Sequence, residues 1–183
     1  MTEKQLAQLD RFVRKLALRW KKPLKIILTG AWAVAVWGHV RATQDVDFLV
    51  DSDDAEFVHT ALTGLDYQCV HRSEDAANYV RGDQGLDLLF ARRPAARRLL
   101  AGAGDRATTM GRIHVVSAEG LIGFKLQALT NDPSRRRDLE DIRALLHAQR
   151  GHLNMQELRE FFALFDRMDL LDELLAELPG SPT

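Results

Sequence analysis

Apolar and polar positions change period several times along this 183-residue chain, and each change predicts an element. Over residues 4–20, Leu6, Leu9, Val13, Leu16, Ala17 and Trp20 share one helical stripe, with Arg11, Arg14, Lys15 and Arg19 largely away from it. That spacing predicts an amphipathic helix, ended by Lys21-Lys22-Pro23. Leu24–Leu28 reads as a first strand. Ala31–Trp37 is short, alanine-rich and apolar almost all round, which predicts a buried helix with Trp32 and Trp37 in the core. Asp45–Val50 reads as a second strand, and Asp51-Ser52-Asp53-Asp54 caps a helix over 54–63.

Three short strand patterns follow at Asp66–Val70, Asn78–Arg81 and Leu86–Phe90. Gly82-Asp83-Gln84-Gly85 between the last two predicts a hairpin turn. Pro94–Leu100 reads as a short helix, and Ala107–Met110 with Arg112–Val116 as another hairpin. From Ser117 the periodicity turns helical, over 118–130, 134–148, 154–166 and 168–177. These patterns predict an α/β (α+β) front domain over 1–116, with a short mixed sheet, and a helical C-terminal region over 117–183 packed on it.

Composition narrows the class. Apolar residues make up 46% of the chain and charged residues 28%, as in ordinary globular proteins. The net charge of -1 gives no broad electrostatic grip on nucleic acid. Cys69 is the single cysteine, so no internal disulfide forms, and a reducing cytoplasm is the expected location. No apolar run is long enough for a membrane span. The six histidines, His39 among them, show no metal-ligand spacing, and no zinc site is expected.

Chemistry enters at Leu28–Val50. Gly30 follows an apolar run, and Asp45 and Asp47 open the next one. Carboxylates one residue apart on a strand point to the same face. Side by side in an apolar segment they are costly without a cation between them, and a divalent ion is the usual answer; a strand end fraying into solvent would account for them too. Asp87 is a lone carboxylate in a third apolar strand, forty residues after Asp47, with room to return beside it. Three carboxylates there would hold two Mg²⁺ ions roughly 3.5–4 Å apart, the arrangement for phosphoryl and nucleotidyl transfer. Oxygen ligands select Mg²⁺ or Mn²⁺ over zinc. The turn at Gly30 and the helix from Ala31 would offer bare backbone and free N–H groups to phosphate oxygens, although a plain strand–helix turn reads the same way.

Gly30-Ala31, a helix, then Arg41-x-Thr43-x-Asp45-x-Asp47 and a later strand aspartate resemble the nucleotidyltransferase superfamily, whose catalytic fold is shared with DNA polymerase β. The form looks most like its small bacterial branch, which includes the AbiEii-type toxins of toxin–antitoxin systems and the aminoglycoside nucleotidyltransferases. The resemblance covers residues 24–146. It implies that Asp45, Asp47 and Asp87 are the catalytic, metal-binding carboxylates and that Gly30 and Ala31 contact an NTP. Arg41 and Thr43 would steady the loop and touch phosphates or acceptor, or simply form a capped, solvated loop. One departure is Ala31, where the superfamily usually has Ser or Gly; a hydroxyl is lost and the backbone N–H stays.

The rear half adds to the match. Ser117-x-Glu119-x-Leu121-x-x-x-Lys125-Leu126, followed by Arg137-Asp138-x-x-Asp141-Ile142, resembles an AbiEii-like pattern. There the lysine is assigned to nucleotide phosphate and the aspartate to the same site. Independently, Lys125 falls at the centre of the stripe Ala118, Leu121, Ile122 and Leu129, where a lysine needs a partner. On the next predicted helix Leu139, Ile142, Leu145 and Leu146 mark the apolar face. Asp138 lies on that face and Asp141 at its edge, so Asp138 is the expected partner. A Lys125–Asp138 pair that only clamps two helices fits the same residues.

These readings imply an enzyme that moves an NMP from an NTP to an acceptor hydroxyl and releases pyrophosphate. The acceptor is left open. A toxin-like protein would use RNA, such as a tRNA 3′ end, and would have an antitoxin partner. A resistance-type protein would use an aminoglycoside or similar small molecule. The arginines over 92–98 and 135–137 could guide a polyanion or be solvated faces, and the acidic stretch 157–177 would suit a cationic acceptor or be solvated in turn. A relative that binds nucleotide or a partner protein without chemistry is the alternative outside enzymes.

Overall fold

The structure, a computed structural model, describes residues 26–39, 45–108 and 111–178. The predicted helix over 4–20, and Arg41 and Thr43 before the Asp45 strand, lie outside the described residues. Cα proximity divides the chain into two compact units. Residues up to Ala33 group with the segment ending at Val116, while Val34 onward to His39 groups with the segment from Ser117.

The first unit is built on seven strands: β1 (Ile26–Thr29), β2 (Asp45–Asp51), β3 (Gln68–Arg72), β4 (Ala76–Arg81), β5 (Gln84–Ala91), β6 (Gly104–Thr108) and β7 (Gly111–Val115). Their order across one sheet is β3-β4-β5-β2-β1-β7-β6. The β2–β5 and β1–β7 pairs are parallel and the others antiparallel. The sheet is mixed, as expected, and larger than the short one expected. The outer hairpin β6–β7 joins it through the parallel register Leu28↔Val115 and the bond from Val116 N to Leu28 O, 3.1 Å. Each strand lies within two residues of its sequence-predicted position except β6, which begins three residues earlier than Ala107.

One face of the sheet carries most of its buried side chains, while Ile27, Leu49 and Ala91 are buried on the other. Leu28, Phe48, Val50, Ala77, Tyr79, Leu86, Leu88 and Phe90 all point to the first face and are buried. The helix α2 (Ala55–Thr63) adds Val58 and Leu62. Its His59 Nδ1 lies 2.9 Å from the Tyr79 hydroxyl. Burial, reinforced by Cys69, pushes the Tyr79 phenol up to about 12. The hairpin between β4 and β5 turns on Gly82, whose φ of +61° suits a two-residue loop that follows the twist of its strands. The next helix, α3 (Pro94–Ala101), starts with proline at its first turn, where no N–H partner is needed.

The short helix α1 (Gly30–Val36) crosses the division between the units. The second unit holds α4 (Ala118–Asn131), α5 (Arg136–Ala148), α6 (Met155–Leu164) and α7 (Met168–Ala176). Ser117 caps α4 by accepting from Gly120 N at 3.0 Å. Asn154 caps α6 through Gln156 N and Glu157 N. Both are the side-chain caps that orphan N–H groups at a helix start require. Ile122, Leu126, Ile142, Leu145, Leu158, Phe162 and Leu171 form its core. No described helix is long and apolar enough to cross a membrane.

Candidate active site

The face of the sheet opposite the Tyr79 core carries the acidic residues. Strand alternation puts Asp45, Asp47, Leu49 and Asp51 on that face of β2. Parallel pairing sets Asp45 against Gly85 and Asp47 against Asp87. On the other side of β2, Thr29, buried at 2% exposure, is the register partner of Asp47. Asn78 of β4 is the register partner of Asp87. One row across four strands therefore reads Thr29, Asp47, Asp87, Asn78, with Asp45 two residues away. Asp45 is exposed and Asp47 and Asp87 are half-buried, so the row opens to solvent at this end of the sheet.

Two glycines make room for these carboxylates. Gly30 has φ +63°, and a Cβ built there would lie 1.9 Å from Asp47 Oδ2 and 2.7 Å from Asp47 Cβ. The sequence suggests that Gly30 keeps the backbone bare for a phosphate; in the structure the space its side chain would fill is taken by Asp47. A Cβ at Gly85 would lie 2.0 Å from Asp45 Oδ1. Gly85, read from sequence only as part of a turn, is a second such position. Ala31 is buried at 4% exposure and Trp32 at 6%. Trp32 Nε1 donates to Asp45 O at 2.8 Å, so α1 holds the main chain of the acidic strand. Trp37, expected in the core, is only half-buried because it falls where the helix ends.

Asp87 accepts a 2.7 Å hydrogen bond at Oδ1 from Asn78 Nδ2. Sequence reasoning missed Asn78, and the signal for it was the hairpin register, which places residues 78 and 87 opposite one another once the turn is set at Gly82-Asp83.

The donors on this face are carboxylate oxygens, a set that fits Mg²⁺ or Mn²⁺ and not zinc. Among the described residues no three His, Cys, Asp or Glu side chains close around one point.

At the other end of β2 and β5 an open groove of about 620 Å³ is lined by Ser52, Glu56, Arg72, Glu74, Phe90 and Arg92 among others. Among its charges, Arg72 pairs with Glu56 and Arg92 with Glu74.

Lys125 and Asp138 lie within the helical unit. Lys125 Nζ is 3.0 Å from Asp138 Oδ1 and 2.6 Å from Asp141 Oδ2, and the lysine side chain is 7% exposed. Arg135 Nε lies 2.5 Å from Asp138 Oδ2. Asp141, placed by its sequence at the edge of the helix face, is fully buried at 0% exposure. The reason is geometric: residues 138, 141, 142 and 145 form one i, i+3, i+4, i+7 stripe, and Lys125 draws both acidic members inward. Burial pushes the Asp138 carboxyl up, but the Arg135 hydrogen bond and the Lys125 charge outweigh it and leave the group below the usual carboxylate range.

No family model matches the chain, and no curated protein matches it. Solved structures do. The antibiotic-resistance factor ANT(2'')-Ia is similar with a TM-score of 0.70 at 15% identity, over 94% of this chain and 97% of that one. An antigenic nucleotidyltransferase-like protein from Paracoccidioides brasiliensis gives 0.58 at 16% identity, over 97% and 95%. The lincosamide antibiotic adenylyltransferase LnuA, bound to lincomycin, gives 0.55 at 19% identity, over 79% and 96%. At such identities the likeness speaks for architecture alone: the chain has the fold of the nucleotidyltransferases.

Proposed function

We propose that this protein is a nucleotidyltransferase that moves an NMP from an NTP to the hydroxyl of a small-molecule acceptor and releases pyrophosphate. One observation carries the reading: Asp45, Asp47 and Asp87 share one face of the parallel β2–β5 pair, beside a glycine turn at Gly30. Asp45 and Asp47 would hold Mg²⁺, with Asp87 completing one of the two metal positions. When bound, Mg²⁺ supplies charge neutralisation for the triphosphate and lowers the pKa of an attacking hydroxyl. The chain's own contribution is placement. Two strands fix the carboxylates, Trp32 ties down the Asp45 main chain, and the missing side chain at Gly30 leaves room for the Asp47 carboxylate. Arg41 and Thr43 precede the acidic strand and would meet phosphate or acceptor. Lys125 is assigned to the clamp with Asp138 and Asp141, because two carboxylates already share its ammonium.

A small-molecule acceptor is favoured by the similar structures, since ANT(2'')-Ia has also been solved in complex with adenylyl-2"-tobramycin and LnuA with lincomycin. Both are matched over nearly their whole length. An RNA acceptor with an antitoxin partner rests on sequence resemblance, in the Gly30–Asp47 form and the Ser117–Ile142 pattern. The deciding experiment incubates the protein with Mg²⁺ and each labelled NTP, against a panel of aminoglycosides and lincosamides and against total tRNA, with Asp45→Ala as control. Label on an antibiotic, lost in Asp45→Ala, supports the proposal; label on tRNA transfers it to the RNA reading. No transfer together with no nucleotide-dependent thermal shift overturns it in favour of a non-catalytic relative.

A further inference from the structure

We propose that Asn78 is the positioning residue for Asp87, a role that rests on the nucleotidyl-transfer reading above. An ionised carboxylate only accepts hydrogen bonds. The 2.7 Å contact between Asn78 Nδ2 and Asp87 Oδ1 therefore fixes the orientation of the amide and the rotation of the carboxylate together. With Oδ1 engaged toward β4, Oδ2 is the oxygen left for the β2 side, where Asp47 is the register partner of Asp87.

The residue type suits that task. An arginine or lysine at position 78 would orient Asp87 equally well but would cancel the negative charge a divalent cation needs. An aspartate would add charge and repel the carboxylate it faces. An amide donates, holds the rotamer and leaves the local charge unchanged. The strand beneath it is stiff, because β4 is paired on both sides, with His71 of β3 and Asp87 of β5 as the register partners of Asn78. Groups that orient metal ligands from a neighbouring element set affinity without touching the ion, and their loss typically costs 10–100-fold.

The test is a Mg²⁺ titration of NMP transfer at saturating NTP for the wild-type protein and for Asn78→Leu, alongside Mn²⁺ binding in the presence of ATP followed by electron paramagnetic resonance. Asn78→Leu is expected to raise half-saturating Mg²⁺ by about tenfold and to weaken Mn²⁺ binding likewise, with the KM for NTP at saturating Mg²⁺ little changed. The exchanged pair Asn78→Asp/Asp87→Asn rebuilds an amide–carboxylate hydrogen bond between the strands. It is expected to recover the wild-type melting temperature but not the Mg²⁺ response, because the Asp87 carboxylate is gone; the discriminating readout is the Mg²⁺ shift of Asn78→Leu at unchanged KM, which a merely structural role would not move. An unchanged Mg²⁺ response in Asn78→Leu overturns the proposal, and so does full recovery of that response in the exchanged pair. If Asn78→Leu does not fold, Asn78→Ser, whose hydroxyl falls short of Asp87, is read by the same shift. A wild-type protein inert in both assays refutes nucleotidyl transfer and the role of Asn78 with it; an active wild type and an indifferent Asn78→Leu refute Asn78 alone.

Discussion

Gly30 and Asp47 occupy each other's space: the position of a side chain on residue 30 lies 1.9 Å from Asp47 Oδ2. The left-handed backbone at Gly30, φ +63°, and the conformation of Asp47 are thus one arrangement. Gly30→Ala is expected to lose about 2–4 kcal/mol, from the left-handed alanine and from overpacking against Asp47 together. A chain of this size loses about 2–4 °C of melting temperature per kcal/mol, so a drop of about 5–15 °C is the signature. An unchanged melting curve would show that Asp47 sits elsewhere.

Gly85→Ala separates fold from function more cleanly. The backbone there is not left-handed, and the obstructing atoms are the far end of Asp45, which can rotate away. Stability is expected to change by less than about 1 kcal/mol, while transfer activity falls at least tenfold because the Asp45 carboxylate is displaced. Activity retained in a stable Gly85→Ala protein would remove Asp45 from the site.

Lys125 neutralises two buried carboxylates, so its loss is expensive. Lys125→Met is expected to destabilise the protein by about 3–5 kcal/mol at neutral pH, measured by urea unfolding. The pH dependence differs between the two proteins. In the wild type Asp138 titrates below its unfolded value near 3.9. Its contribution is therefore complete above about pH 4–5 and is lost as pH falls through the lowered folded value. In Lys125→Met, Arg135 still holds Asp138, but without the Lys125 charge its carboxyl moves up relative to the wild type, so the deficit narrows on acidification.

Tyr79 makes an alkaline prediction. Its folded value of about 12 exceeds the unfolded value near 10. Between those pH values the unfolded chain releases a proton that the folded one retains, so stability falls as pH rises from about 10 toward about 12. Ultraviolet titration near 295 nm should show the Tyr79 phenol still protonated in the folded protein at about pH 10–11. Tyr79→Phe should remove this late ionisation and cost about 1–2 kcal/mol by leaving His59 without its partner.

Much of this architecture was legible from the sequence, and what was missed has physical causes. Period-two runs located β2, β4 and β5, and the rear helices followed their apolar stripes, because burial of one face is what those patterns encode. The alternation at Asp45 and Asp47 located the acidic face. Asp141 was misjudged because an apolar-only stripe takes no account of an aspartate drawn inward by a buried lysine. Asn78 and Gly85 were missed because their meaning is set across strands: each matters through the residue opposite it, Asp87 and Asp45. The attachment of β6 and β7 to β1 was not legible either, since a parallel contact far along the chain leaves no local trace.

The parallel union of β2 with β5 has a kinetic consequence. Parallel neighbours cannot be joined by a tight hairpin, and here a helix and two further strands intervene. Closing so long a loop is paid in chain entropy before any contact rewards it, which makes such pairings slow. Asp47 and Asp87 become neighbours only when that closure is complete. A nascent or partly assembled chain therefore carries every acidic residue yet has no acidic row until that loop closes.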